Sequence, residues 1–201
     1  MTAFTCLLGE PALSDFRKRK LQRRIEALVG AGHELEAHFV YLVETDGGLS
    51  TTAVDALQRL LQGRHVTGLE EDGLLLVVPR LGTQSPWSSK ATDIARRCGL
   101  DEVLRIERGV AFHVDGIDDA SRGAVAAVLH DRMTQSVLTG LDQCAGLFVH
   151  PEPRPLRHVP VLAEGRSALE NANRDMGLAL SGDEIDYLVE AFAAMGRDPS
   201  D

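Results

Sequence analysis

The stretch ELEAHFVYLVET, Glu34 to Thr45, places Leu35, Ala37, Phe39, Tyr41 and Val43 at every second position. Side chains of extended backbone point alternately to opposite sides, so this spacing predicts a half-buried strand. A second long extended stretch, EVLRIERGVAFHVD (Glu102 to Asp115), begins 68 positions after the first. Ser50 and Asp118, which open the helices after these two strands, are also 68 positions apart. Few residues match between the halves, so the repeat is one of architecture rather than of sequence.

The flanking segments complete the two units. In the first half, AFTCLLG (Ala3 to Gly9) reads as a strand. A helix capped by Ser14 follows to about Val29, its inner face Phe16, Leu21, Ile25 and Leu28. The helix after Ser50 carries Val54, Leu57, Leu60 and Leu61. In the second half, GLLLVVPR (Gly73 to Arg80) is a continuous apolar strand and Pro86 to Cys98 a helix. A further helix runs from about Asp118 to Asp131, and TQSVLTG (Thr134 to Gly140) is a closing strand. Two β-α-β-α units predict an α+β fold: a two-fold pseudo-repeat forming a sandwich of sheet and helices, with the helices on one side of each sheet.

FVHPEPRPLRHVPVL (Phe148 to Leu162) holds four prolines and predicts a semi-rigid linker. A helical pair follows, the first helix with Ala168, Leu169, Ala172, Met176 and Leu180. The second opens on a Ser181–Glu184 capping box and turns Ile185, Leu188, Val189 and Phe192 inward. The expected boundaries are residues 1–147 for the α+β domain, 148–163 for the linker and 164–201 for the helical domain.

Composition narrows the function classes. The 201 residues carry 21 Lys and Arg against 30 Asp and Glu, a formal charge of −9. An acidic chain is poorly suited to nucleic acid or anionic membrane surfaces. The basic run RKRKLQRR (Arg17 to Arg24) lies on the outer face of an amphipathic helix. The three cysteines, Cys6, Cys98 and Cys144, have neither metal-site spacing nor the even number of a disulfide framework. No signal peptide or membrane-spanning run is present, and the expected compartment is the cytoplasm. There is no phosphate-binding GxxxxGK[ST] loop, no GxGxxG and no HExxH. From the residues alone, no catalytic residue and no metal ligand is assigned.

One turn stands out. In GTQSPWSSKATDIARRCGL (Gly82 to Leu100), Ser85 is an N-cap and Pro86 suits the first helical position. Trp87, Ala91, Ile94, Ala95 and Cys98 form the expected apolar stripe, with Gly99 just past the end. Two readings of the turn compete: a capped, solvated helix start over a core tryptophan, or an anion site at the positive helix end.

The stretches PRLGTQSPWSSKATDIARRCGL, RIERGVAF, LHDRMTQ and LALSGDEIDYLVEAFAAMGRDP resemble, in that order, the N-terminal part of the large single-chain phosphoribosylformylglycinamidine synthases. The opening LLGEPALSDFRKRKL fits as well, so the resemblance covers nearly the whole chain. It implies an N-terminal domain like a dimer of the small separate synthase subunit, then a linker domain, a synthetase region and a glutaminase. The implied reaction is ATP-dependent, glutamine-using amidation of formylglycinamide ribonucleotide in purine biosynthesis. ATP and Mg²⁺ would phosphorylate the amide oxygen and ammonia would displace the phosphate.

The family's Ser-Glu-His-Cys-Arg-His motif, nucleotide and metal ligands and glutaminase cysteine have no counterpart in these residues. The chain alone is therefore expected to be inert and to hold no cofactor, its partners being the synthetase and glutaminase domains of the same polypeptide. Since the substrate carries phosphate, the resemblance sets the anion reading of the turn, with Ser88, Ser89 and Lys90 facing substrate and Arg80 and Thr83 assisting, level with a role in holding the interface to the synthetase domain. The alternative is a non-catalytic α+β domain that binds a metabolite or acts as a scaffold.

Overall fold

The computed structural model describes residues 3–149 and 155–200. The chain divides into two compact units, Met1–Pro151 and Glu152–Asp201. The part of the proline-rich stretch at residues 150–154 lies outside the described residues.

The first unit contains β1 (Ala3–Pro11), α1 (Asp15–Val29), β2 (Leu35–Thr45), α2 (Thr51–Leu61) and β3 (Arg64–Val66). It continues through β4 (Leu74–Pro79), α3 (Pro86–Arg97), β5 (Val103–Val114), α4 (Asp119–Leu129), β6 (Gln135–Leu138) and a 3₁₀ helix, Asp142–Phe148. The strands form one antiparallel sheet in the order β3-β1-β2-β5-β4-β6. The expected two sheets are therefore a single continuous one, joined where β2 pairs with β5 from Leu35–Val114 to Thr45–Val103.

The strand order maps onto itself when the halves exchange. β1, α1 and β3 begin 71 positions before β4, α3 and β6; β2 and α2 begin 68 positions before β5 and α4. The drop from 71 to 68 is the longer α1, which has 15 residues where α3 has 12, and the offset returns to 71 because the connection from α4 to β6 is longer than that from α2 to β3. The pairs Val40–Gly109 and Tyr41–Arg108 sit at the centre of the β2–β5 ladder, where the halves meet.

The helices pack on one face in two groups. Ile25 of α1 and Val125 of α4 close over Leu35, Ala37, Leu75, Val77, Phe112 and Val114. Ala53, Leu57 and Leu61 of α2 and Ala95 of α3 close over Leu7, Val43, Val103 and Ile106. The other face is also buried: Val40, Leu42, Leu76, Val78 and Ala111 pack with Cys144, Leu147 and Phe148 of the 3₁₀ helix. This is why β2, expected to be buried on one side, is buried on both along its second half.

Several expected helix faces turn out differently. Phe16 and Leu28 of α1 are exposed, and Ile25 alone of its residues is fully buried. On α3 the expected stripe is rotated: Ile94 and Cys98 are exposed, while the polar Ser88 and Thr92 join Ala95 on the buried side. Thr92 is stable there because its hydroxyl accepts the Ile106 N–H at 3.0 Å, satisfying both groups.

The second unit has a short α5 (Val161–Glu164), α6 (Arg166–Met176) and α7 (Gly182–Met195). Val161, Ala168, Leu169 and Ile185 form its core, flanked by Leu180, Leu188, Val189 and Phe192; Met176 lies outside it. The Ser181–Glu184 capping box is present in full. Among the described residues, no helix is long and apolar enough to cross a membrane.

Candidate functional site

β4 ends at Pro79, and residues 80–84 form the loop that leads into α3. The hydroxyl of Ser85 accepts the Ser88 N–H at 3.1 Å, and Pro86 occupies the first turn. Behind this loop two charged side chains of β5, Arg105 and Glu107, are buried at 7% and 0% exposure. Arg105 donates to Glu107 Oε1 from Nε at 3.1 Å and from Nη2 at 2.5 Å. It also donates to the carbonyls of Leu147 at 3.0 Å and Thr83 at 2.6 Å, while its guanidinium carbon lies 5.7 Å from the Phe148 ring centre.

Glu107 in turn accepts the Ser85 N–H at 3.1 Å on Oε1 and the Ser85 hydroxyl at 2.6 Å on Oε2. The ion pair therefore ties β5, the loop, the α3 cap and the 3₁₀ helix together. Buried charges are tolerable when paired and hydrogen-bonded in this way. Glu107 also places a carboxylate at the start of α3, where the helix dipole favours negative charge.

In front of the loop lies an open cleft of about 520 Å³. Its floor is Phe39, Val77 and Val110 on the helix-bearing face of the sheet; its rim is Arg80, Thr83 and Ser85 on one side and Met133 to Gln135 on the other. Arg108 projects into it from β5, and among the described residues no Asp or Glu lines it. The Arg108 guanidinium carbon lies 4.8 Å from the Phe39 ring centre and 4.9 Å from that of Trp87. Trp87 stacks at 5.9 Å on Tyr41, the residue paired with Arg108 across the ladder. Ring faces attract a guanidinium and hold its plane.

The five residues singled out from sequence fall in three places. Arg80 and Thr83 line the cleft, with the Thr83 hydroxyl donating to the Arg80 carbonyl at 2.6 Å. Ser88 is fully buried beneath the turn, its hydroxyl without a partner. Ser89 is exposed and accepts from Gln84 Nε2 at 3.3 Å. Lys90 is exposed beside a separate apolar depression of about 270 Å³ formed by Leu60, Leu61, Trp87, Ala91 and Ile94. Sequence reasoning passed over Arg108, Arg105 and Glu107, all within the stretch RIERGVAF. The available signal was three charged residues in a strand that had to be buried on at least one face.

Other reactive groups serve structure. Burial pushes the Cys6 and Cys144 thiols up to about 12. His113 Nδ1 pairs with Asp115 at 2.9 Å. Among the described residues, no three His, Cys, Asp or Glu side chains converge where they could hold a metal ion.

The fold and cleft define a class: a pseudo-symmetric α+β module with a basic, aromatic-walled cleft, followed in the chain by a small helical unit. Residues 38–148 match the family model described as formylglycinamide ribonucleotide amidotransferase N-terminal, and residues 169–201 match that of the amidotransferase's linker domain. The chain belongs to the formylglycinamide ribonucleotide amidotransferase family, which places it in an enzyme of purine biosynthesis.

Proposed function

We propose that this chain is the N-terminal and linker part of an ATP-dependent, glutamine-using ligase that converts formylglycinamide ribonucleotide to formylglycinamidine ribonucleotide. Its α+β unit helps enclose the phosphorylated substrate and docks on the synthetase domain, with the glutaminase farther along the same polypeptide. The observation that supports this reading best is the acid-free cleft in which Arg80 and Thr83 meet the start of α3, on a chain of formal charge −9. Ser89 and Lys90 stand exposed one turn along.

ATP and Mg²⁺ supply the phosphorylation chemistry when bound. The described residues here offer no converging ligand set for the metal, so no step through it is assigned to this chain. Its own residues bind and orient substrate and exclude water, which protects a hydrolysable phosphorylated intermediate.

The test is Lys90→Glu in the full-length enzyme. A raised KM for the ribonucleotide with unchanged Tm supports a substrate role for the turn, and unchanged kinetics overturns it. The 201-residue chain alone is expected to show no glutamine- or ammonia-dependent turnover; measurable turnover would contradict that.

A second reading has its own support. The apolar depression next to Lys90 leaves Ile94 at 44% exposure, which suits a face that holds another domain rather than substrate. Under this reading Lys90→Glu lowers the stability of the full-length enzyme and leaves KM unchanged.

A further inference from the structure

Arg80 and Arg108 share one cleft, and among the described residues neither guanidinium has a carboxylate partner. On this chain that is a conspicuous arrangement. Surface arginines of an acidic protein have many carboxylates within reach, and the other rim and floor residues of this cleft are apolar or neutral. Arg108 also lies over two rings, 4.8 Å from the centre of Phe39 and 4.9 Å from that of Trp87, and Tyr41 backs the indole. A guanidinium stacked on ring faces keeps its in-plane N–H donors for a planar or tetrahedral oxyanion. The cleft is of the size that small ligands use.

We propose that this cleft is a phosphate-monoester site in which Arg108 and Arg80 supply the two positive charges and Phe39 and Val110 the apolar floor beneath the rest of the ligand. Two guanidinium charges match a phosphate monoester, which carries roughly −1.5 to −2 at neutral pH; a single carboxylate would leave one unmatched. The choice of ligand class rests on the reading that this domain meets a phosphorylated ribonucleotide. The site itself is different: it lies on the other side of Pro86 from Lys90, and Arg108, not the Ser-Ser-Lys turn, is its centre.

The protein carries its own reporter. Trp87 is the only tryptophan, and Arg108 sits on its ring. Ribose 5-phosphate, ribose and succinate are titrated onto the 201-residue protein at low salt while Trp87 fluorescence is read. A saturable change with ribose 5-phosphate, none with ribose and a weaker one with succinate is expected. Arg108→Gln and Arg80→Gln should each weaken binding about 10-fold or more, as removal of a charged hydrogen-bond donor does. Arg108→Lys, which keeps the charge but lacks the planar fork of donors, should fall between the parent and Arg108→Gln. Arg97→Gln, which alters only an exposed pair with Asp93 on α3, should bind like the parent. Equal Tm values exclude misfolding as the cause.

No saturable response to ribose 5-phosphate, equal binding by Arg108→Gln, or tighter binding of succinate each overturns the proposal. The Lys90→Glu kinetics separate the two readings. Binding lost in both arginine variants with KM unchanged by Lys90→Glu supports the cleft and removes the turn. A raised KM in Lys90→Glu with arginine variants that bind normally removes the cleft and leaves the turn.

Discussion

Glu107 accepts two hydrogen bonds from a single residue, Ser85, one from its N–H and one from its hydroxyl. Ser85 is also the cap of α3, so one buried carboxylate on the sheet holds the residue at which that helix begins. Arg105 makes the carboxylate tolerable and extends the connection to Thr83 and Leu147.

Removing one member of this pair is expected to be far worse than removing both. Glu107→Ala leaves Arg105 buried without a counter-charge, a situation that costs about 3–5 kcal/mol. The double variant Arg105→Met with Glu107→Leu should recover much of that loss. Urea unfolding of the three proteins checks the order; a Glu107→Ala penalty below about 1 kcal/mol would show that the charge reaches water.

Ser85→Ala should be costlier than Ser14→Ala. Both lose a helix cap, worth about 0.5–2 kcal/mol. Ser85 also gives up a buried bond to Glu107, whereas the Ser14 cap is exposed and its bond is long at 3.5 Å. Thermal unfolding that ranked the two equally would place the Glu107 contact in solvent.

Gly73→Ala is expected to weaken the end of β4. Gly73 has φ +69°, and an added Cβ would lie 2.4 Å from the Val114 carbonyl oxygen. Backbone atoms cannot swing away as side chains do, so both strain and overlap add, about 1–3 kcal/mol together. A stability equal to the parent would mean that β4 and β5 separate easily at that edge.

The thiols should divide by location. Cys98 is exposed, while Cys6 and Cys144 are buried. A thiol reagent at pH 8 is expected to label one cysteine in the native protein and three in denaturant. The two buried thiols hold their protons to about 12 against an ordinary 9.0. Their contribution to stability is therefore complete below pH 9 and is lost as pH rises toward 12, because only the unfolded chain ionises there. Tm measured from pH 8 to 11 should fall, and should fall less in Cys6→Val; a flat profile would mean that water reaches both sulfurs.

Much of the fold was legible because local rules and tertiary demands agree. The caps at Ser14, Ser50, Ser85, Asp118 and Ser181 all form as their sequence contexts predict. The two long strands and their common offset identify the repeat. The three-residue strand β3 and the 3₁₀ helix escaped notice, since segments so short carry too little periodicity to register.

The helix faces were legible only in part. Phe16 reads as core because it is apolar, yet in the first turn of α1 it is 70% exposed. Ser88 reads as facing substrate and Thr92 falls outside the expected apolar stripe, yet α3 is rolled so that both small side chains are buried, Thr92 against β5. Hydropathy ranks residues by type, whereas the roll of a helix is set by the shape of what it packs against.

The sequence by itself determined the strands other than β3, the helix starts, the pseudo-repeat and, through RIERGVAF and SPWSSKATDI, the family. These follow from contacts a few residues apart, or from runs specific enough to match as text. Only the tertiary structure decided that the halves share one sheet, that Glu107 anchors the α3 cap, and that Arg80 and Arg108 face one cleft. Arg80 and Arg108 are distant in sequence and come together because β4 pairs with β5 antiparallel. Which charges find a partner depends on that pairing, and no local spacing records it.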